Sequence, residues 1–203
     1  MKEKLTNFVI VAFGLIVNLL SYVLPKTAIK LAMNTFSEVR QAPMKKWQVD
    51  WLDTAEREDY QFMDETIPIY KWKGSGPTIV LVHGWRSHSA RWKGYVTALK
   101  EAGLNIICFD AIGHGNSSGS KYNLLFHSYQ TAEICKKFNA TYLIGHSAGG
   151  YAAFHALCHD DNLKVKRSVH LAPTQSVKKV FDVYFDKVKF SQKTQHLFNN
   201  EVE

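Results

Sequence analysis

The stretch that most constrains this chain is residues 141–150, TYLIGHSAGG, where an apolar run changes abruptly into small residues around Ser147. A helical pattern follows at once, so the stretch predicts a strand, a sharp bend and a helix in direct succession. Gly145 and Gly149 flank the serine at the two positions where a side chain collides across such a bend. Ser147 is then expected above the start of the helix, where backbone N–H groups and the helix dipole favour negative charge.

Strands and helices alternate on both sides of this bend. The runs at residues 78–82 and 105–110 are typical of central parallel strands, which are apolar because both of their faces are covered. The remaining patterns are helical at Ala90–Ala102, Leu124–Phe138 and Ser147–His159, and extended at Ala140–Ile144 and Val165–Leu171. This order predicts an α/β fold with a doubly wound, mostly parallel sheet and right-handed crossovers.

Two shorter runs precede the sheet's central strands. Residues 46–51 and 67–72 alternate with a period of two, which is typical of edge strands. Pro68 agrees with an edge position, because a proline cannot donate to the hydrogen-bond ladder of a central strand. The sequence therefore predicts two edge strands here.

Residues 8–24 form an uncharged, strongly apolar segment that follows Lys2 and Lys4. About 17 residues is at the short end of what crosses a hydrocarbon core of ~30 Å. The segment predicts a single membrane-spanning helix. A signal sequence, or a helix lying on the membrane or on the protein itself, is the alternative. More basic residues follow the segment than precede it, so the globular part is expected in the cytoplasm. A second, shorter helix is predicted at Thr27–Val39.

Composition excludes several other classes of function. The chain has 46% hydrophobic residues and a formal charge of +7, enough for a packed core and only moderately basic. Basic and aromatic residues do not interleave as they do in nucleic-acid-binding chains, so no nucleic-acid partner is expected. The lysines crowded between Lys164 and Lys193 are interpreted as a solvated face, with attraction to anionic lipid headgroups as the alternative.

The three cysteines, Cys108, Cys135 and Cys158, are odd in number and form no C-x-x-C pair. This pattern argues against a disulfide framework and against a zinc site. Buried thiols in a reducing compartment are the expectation.

Three motifs carry a family resemblance: VHGW at residues 82–85, FDAIGHGNS at 109–117 and GHSAGG at 145–150. Each lies at the end of a predicted strand. In this order they make the chain resemble the α/β-hydrolase superfamily, and within it the bacterial serine hydrolases of the esterase, lipase and peptidase-like branch, over about Trp47–Thr174. The resemblance implies an N-terminal part at 1–45, a hydrolase core at 46–174 and the start of a helical cap at 175–203.

The resemblance also implies a site. Ser147 would attack a small-molecule carboxylic ester or related acyl bond, without a metal or an organic cofactor. The backbone N–H groups of Trp85 and Ala148 would form the oxyanion hole, each contributing on the order of 3 kcal/mol to the transition state. The residues expected to support the elbow and the oxyanion loop are His83, Gly84, Gly145, His146 and Gly149. Asp110 and His114 are expected to hold the loop that follows the fourth strand.

In this family an acid and then a histidine follow the nucleophile in chain order. The candidates Asp182, Asp186 and His196 fall in the cap-like region, so about two βα units of ~30 residues each are expected to be missing. Three explanations remain: a fragment, a complete chain without a triad, or His196 as a non-standard base. The alternative to an enzyme is an inactive hydrolase-like module that binds a membrane surface or a protein partner. Nothing in the sequence sets the substrate or the oligomeric state.

Overall fold

The computed structural model describes residues 2–39, 43–174 and 176–202. The chain forms two compact units, Val39–Gln175 and the combination of Met1–Glu38 with Ser176–Glu203. The first and last segments of the chain, which are predicted as separate parts, belong to one unit. The predicted boundary at residues 45 and 46 lies among described residues, whereas residues 40–42 and residue 175 lie outside them.

The unit Val39–Gln175 contains a six-stranded sheet of order β1-β2-β4-β3-β5-β6. The strands are β1 Glu56–Phe62, β2 Glu65–Trp72, β3 Thr78–Val82, β4 Asn105–Phe109, β5 Tyr142–His146 and β6 Arg167–Leu171. Neighbours among β4, β3, β5 and β6 are parallel, while β2 is antiparallel to both β1 and β4. This mixed, mostly parallel sheet confirms the predicted fold class.

Helices follow the central strands as predicted. They are α4 Lys93–Glu101, α5 Leu124–Lys137 and α6 Ala148–His159, with a 3₁₀ turn at Ser89–Trp92 before α4. A further helix, α3 Lys46–Leu52, precedes β1. α5 begins where Asn123 Oδ1 accepts hydrogen bonds from the N–H groups of Leu125 at 2.8 Å and Phe126 at 3.1 Å. The turn after α4 contains Gly103, whose φ of +76° suits a glycine that terminates a helix.

The central strands are apolar throughout because each face contacts a different cluster. On β3, Val80 and Val82 belong to the cluster that includes Ile134 of α5 and Ala153 of α6. The alternate residues of the same strand pack with Trp92 and α4 on the opposite face. The sheet is therefore covered on both sides, as the unbroken apolar runs predicted.

Two predictions for the region before the sheet are wrong. Residues 46–51 lie in helix α3, which begins with a hydrogen bond from the Lys45 N–H to Gln48 Oε1 at 2.7 Å. A run this short satisfies both the period of a strand and the four-residue spacing of a helix. β2 is also an internal strand. Pro68 pairs with Asp59 and its carbonyl accepts from the Asp110 N–H at 3.2 Å, so this proline takes part in the sheet through its carbonyl.

The other unit consists of four helices, α1 Lys2–Val23, α2 Pro25–Ser37, α7 Val177–Val188 and α8 Gln192–Val202. Its core contains Val17 and Ile29 from the first pair and Phe181, Phe185 and Phe198 from the second. Phe181 and Phe185 thus lie on the inward-facing side of α7. Helices from opposite ends of the chain share one hydrophobic core.

The segment predicted to cross a membrane, residues 8–24, lies in α1 except for its last residue, Leu24. Among the helices formed by the described residues, none combines the length and the apolar character needed to span a bilayer. The predicted membrane-spanning helix is therefore not found among the described residues. Asn18 and Ser21 interrupt the apolar run, and Asn18 Nδ2 donates to the carbonyl oxygen of Lys189 at 2.9 Å within the same unit.

Candidate active site

Ser147 connects β5 to α6 with φ 54° and ψ −123°, a combination that few residues other than glycine adopt. Its N–H donates to the carbonyl oxygen of Leu171 at 2.9 Å, and its carbonyl accepts from the Tyr151 N–H at 3.1 Å. The strand, bend and helix predicted around this serine are all present. The strained backbone is held from the side by β6 and from below by the first turn of α6.

Three glycines let the chain pass close to this bend. A Cβ atom on Gly149 would lie 2.2 Å from the carbonyl oxygen of His83, and one on Gly145 would lie 2.4 Å from the carbonyl oxygen of Gly149. A Cβ atom on Gly84 would lie 3.0 Å from Cβ of Ser147. The end of β3 therefore contacts the elbow directly, because no side chain separates the two backbones.

Of the two residues expected to supply oxyanion donors, Ala148 follows Ser147 directly and Trp85 follows a glycine that packs against it. Ala148 is the first residue of α6, and an N–H at the first helical position has no acceptor within its own helix. Trp85 follows Gly84, which packs against Ser147. Its indole stacks on the Tyr122 ring, with centroids 6.0 Å apart and an interplanar angle of 14°.

Two buried histidines join the loop after β3 to the loop after β4. His83 Nε2 accepts from the Ala111 N–H at 2.9 Å, and His114 Nε2 accepts from the Arg86 N–H at 2.9 Å. The Nδ1 atom of each ring lies 2.8 Å and 3.0 Å, respectively, from a backbone carbonyl oxygen. Both rings are therefore assigned as neutral, with the proton on Nδ1. The two imidazole rings thus connect the loop after β3, which contains Trp85, to the loop after β4.

Burial keeps these rings neutral. Loss of solvation lowers the pKa of His83 to about 4 and that of His114 to about 4. A third histidine, His127 on α5, is also buried, and burial lowers its pKa well below the usual value. The Oη atom of Tyr122 lies 3.0 Å from Nδ1 of His127. The sequence analysis missed His127 and Tyr122, since neither belongs to a motif.

The Asp110 carboxylate organises the loop after β4. Its Oδ1 accepts from the Ser89 N–H at 2.7 Å, and its Oδ2 accepts from the Asn116 N–H at 2.9 Å and from the Tyr70 hydroxyl at 3.4 Å. Gly115 lies so close that a Cβ atom there would be 2.0 Å from Oδ2. Burial and the Asp110 charge raise the pKa of the Tyr70 hydroxyl. These contacts agree with the structural role expected for this aspartate.

His146 is the other histidine expected to support the elbow. His146, directly before the nucleophile, is half-buried, and burial lowers its pKa. Its carbonyl oxygen lies 3.0 Å from where a Cβ of Gly84 would be, so a side chain there would crowd the backbone of the elbow.

No hydrogen bond joins Ser147 to a histidine among the described residues of this unit. His170 on β6 is engaged elsewhere, with Nδ1 2.9 Å from the Gly150 carbonyl oxygen and Nε2 2.9 Å from the Ser168 hydroxyl. Asp160 is at the far end of α6, where it pairs with Lys136 at 3.1 Å. The cap-region candidates Asp182, Asp186 and His196 belong to the other unit. Within the unit Val39–Gln175, the described residues therefore assemble no acid–base partner for Ser147.

The family model and the curated relatives that match this chain agree on one family of hydrolases. A family model described as serine aminopeptidase, S33, matches residues 75–200, which is more than half of the chain. The chain is 34% identical over 106 residues to a pimeloyl-[acyl-carrier protein] methyl ester esterase of Vibrio atlanticus, covering 49% of this chain and 38% of that one. It is 31% identical over 116 residues to the monoacylglycerol lipase ABHD6 of Mus musculus, covering 50% and 32%. The chain thus spans well under half the length of these relatives.

Solved structures show the same fold. An esterase from Exiguobacterium antarcticum superposes with a TM-score of 0.55 at 23% identity, covering 59% of this chain and 46% of that one. A thioesterase domain from the curacin biosynthetic pathway superposes with a TM-score of 0.53 at 20% identity, covering 66% and 54%. At these identities the likeness concerns the fold alone.

Proposed function

The chain belongs to the serine aminopeptidase S33 family of α/β hydrolases, and on that premise we propose that it contributes the nucleophile of a serine hydrolase that cleaves carboxylic esters or related acyl bonds. Ser147 is the nucleophile. The relatives include proteins named as a methyl ester esterase and a monoacylglycerol lipase, both of which act on esters. Ester hydrolysis is therefore the reaction that this proposal favours.

The observation that carries the proposal is the backbone of Ser147. A non-glycine residue at φ 54° and ψ −123° costs on the order of 1–3 kcal/mol and persists only where its surroundings require it. Here the surrounding glycines are close enough to exclude side chains, so the whole neighbourhood is arranged to hold one strained serine. Such strain is concentrated at catalytic positions.

The chemistry follows from this placement. The Ser147 oxygen adds to the carbonyl carbon, the carbonyl oxygen takes the negative charge, and the hydroxyl proton passes to a general base from outside the described residues of this unit, which returns it to the departing alcohol oxygen. The N–H groups of Ala148 and Trp85 are the proposed donors to the oxyanion, with the dipole of α6 adding to the first of them. Collapse of this intermediate releases the alcohol and leaves an acyl-serine, which water then cleaves. A general base contributes roughly 10²–10⁴ in rate.

The test is labelling of the full chain by a fluorophosphonate probe. We expect wild type to be labelled and Ser147→Ala to be unlabelled, with circular dichroism showing that both are folded. Ser75→Ala, an exposed serine in the turn between β2 and β3, is the matched control and is expected to label like wild type. Labelling that persists in Ser147→Ala, or a folded wild type that does not react, contradicts the proposal.

A further inference from the structure

Helix α1 packs on its own unit with two polar residues of its second half, Asn18 and Ser21, turned inward. Ser21 is 1% exposed, and the side chain of Asn18 is bonded on both of its polar atoms. Asn18 Nδ2 donates to the Lys189 carbonyl oxygen, while Oδ1 accepts from the Ser191 N–H at 2.8 Å and from the Thr194 hydroxyl at 2.9 Å. A surface helix of a globular protein ordinarily has the opposite orientation, with its polar residues in solvent.

The outward side of α1 is apolar. Large side chains there are more than half exposed, among them Phe8, Leu15, Ile16, Leu19, Tyr22 and Val23. Their spacing of three, four and seven residues places them on one continuous stripe along the helix. We call this set the outer stripe of α1. Contiguous apolar surfaces of this kind mark a site of contact with another protein or a membrane.

Charge near the outer stripe favours a lipid surface. Between residues 5 and 37 the only charged residues are Lys26 and Lys30, so no carboxylate lies within the outer stripe itself; Glu3 and Glu38 lie outside this range. Both lysines are exposed on α2. At the C-terminal end of the stripe, Lys193 Nζ lies 3.8 Å from the centroid of the Tyr22 ring. A tyrosine and a lysine at the margin of an apolar surface are typical of the membrane–water interface.

We propose that α1 lies in the plane of a lipid bilayer surface that carries anionic headgroups. The outer stripe is buried among the upper acyl chains, roughly 5–10 Å below the headgroups. Lys26, Lys30 and Lys193 remain at headgroup level and provide the electrostatic attraction. This assignment is independent of Ser147 and its chemistry.

The experiment is flotation of the full chain with vesicles of phosphatidylcholine, with and without phosphatidylglycerol. We expect wild type to float with the anionic vesicles. The double variant Leu15→Asn/Leu19→Asn is expected to lose roughly tenfold or more in partition coefficient, because two apolar side chains leave the acyl region. Met63→Asn, a matched change at a residue 65% exposed in the turn between β1 and β2, is expected to bind like wild type.

A second variant tests the charge. Lys26→Gln/Lys30→Gln is expected to bind the anionic vesicles roughly tenfold more weakly and to lose most of the preference for phosphatidylglycerol. Ser147→Ala is expected to bind as wild type does, which keeps this result separate from the result for the hydrolase. Far-UV circular dichroism shows whether each variant is folded.

Three outcomes overturn the proposal. The first is a folded wild type that floats with neither type of vesicle. The second is equal binding by wild type and Leu15→Asn/Leu19→Asn. The third is a dimer, measured by analytical ultracentrifugation, that this double variant dissociates while wild type fails to bind vesicles. In that case the outer stripe contacts a second copy of the chain.

Discussion

At the residue scale, Gly149 shows how little space separates the nucleophile helix from the sheet. A Cβ atom there would lie 2.2 Å from the His83 carbonyl oxygen and 2.4 Å from that of Val82. Both atoms are backbone atoms of β3 and the loop after it, so neither can rotate away. Any side chain at this position must move α6 or distort the loop next to Ser147.

Gly149→Ala is therefore expected to lower the free energy of unfolding by about 3 kcal/mol or more, because overpacking against backbone is relieved only by displacement. Gly94→Ala is the matched control. That glycine lies in α4 with no atom within 4 Å of the added Cβ, so alanine is expected to raise stability by up to about 1 kcal/mol through helix propensity. Urea denaturation of both variants measures the difference. Equal effects of the two substitutions would disprove the close packing described for α6.

Residue-scale electrostatics predict a pH dependence. The pKa of His83 and that of His114 are each lowered to about 4 by burial, below the unfolded value of about 6.5. As the pH falls, the unfolded chain takes up these protons before the folded protein does. The stability that the protein has with both histidines neutral is therefore fully present above pH 6.5 and is lost progressively between pH 6.5 and pH 4.

The expected loss is at most about 1.4 kcal/mol per pH unit for each histidine. Equilibrium unfolding between pH 8 and pH 5 measures this slope for wild type and for His114→Asn. The variant is expected to be less stable at pH 7, because the Arg86 N–H loses its acceptor, yet to have a shallower slope. The prediction fails if the two slopes are equal.

At the element scale, the residues of α1 that stabilise the fold lie on one side of the helix, and the residues proposed to bind a membrane lie on the other. Its inward side depends on the three hydrogen bonds of Asn18, whereas Leu19, one residue later, is 71% exposed. Two neighbouring residues on one helix thus have opposite surroundings. A substitution at each of them tests the orientation of the helix.

Asn18→Leu is expected to lower the free energy of unfolding by about 2–3 kcal/mol, because partly buried backbone and hydroxyl groups lose their partner. Leu19→Asn is expected to change it by no more than about 0.5 kcal/mol, since that side chain is in solvent. Thermal unfolding followed by far-UV circular dichroism measures both. The reverse order of effects would mean that α1 packs with the other face.

At the scale of the whole molecule, the three cysteine thiols differ in their exposure to solvent. Cys108 on β4 and Cys135 on α5 are buried, and burial raises the pKa of both, that of Cys135 to about 12. Cys158 on α6 is exposed, so the prediction of buried thiols is wrong for this residue. It lies near the end of α6, where the helix meets solvent.

Alkylation by iodoacetamide at neutral pH is accordingly expected to add one group to the folded protein and three in denaturant, counted by mass spectrometry. Cys158→Ser removes the native adduct without affecting the other two sites. Rapid modification of Cys108 without denaturant would show that the centre of the sheet opens.

The local parts of the fold could be predicted from the sequence. The elbow at Ser147, the central strands and the helices that follow them depend on spacing and on small residues within a few positions, and local patterns record both. The expected support role of His83 rested on the motif. Its partner, the Ala111 N–H, could not be predicted, because the two residues meet only when β3 and β4 lie side by side.

What the sequence by itself determined is the family, the order of strands and helices, and the serine at the bend, since each follows from short-range periodicity or from a motif. The tertiary structure alone decided that residues 46–51 are a helix, that β2 is internal and that α1 shares a core with α7 and α8. It also decided that Asn18 of α1 faces inward. The physical reason is that the spacing of apolar residues indicates which side chains must be covered. Which segment covers them, and therefore which way each face of a helix or strand points, depends on residues far away in the chain.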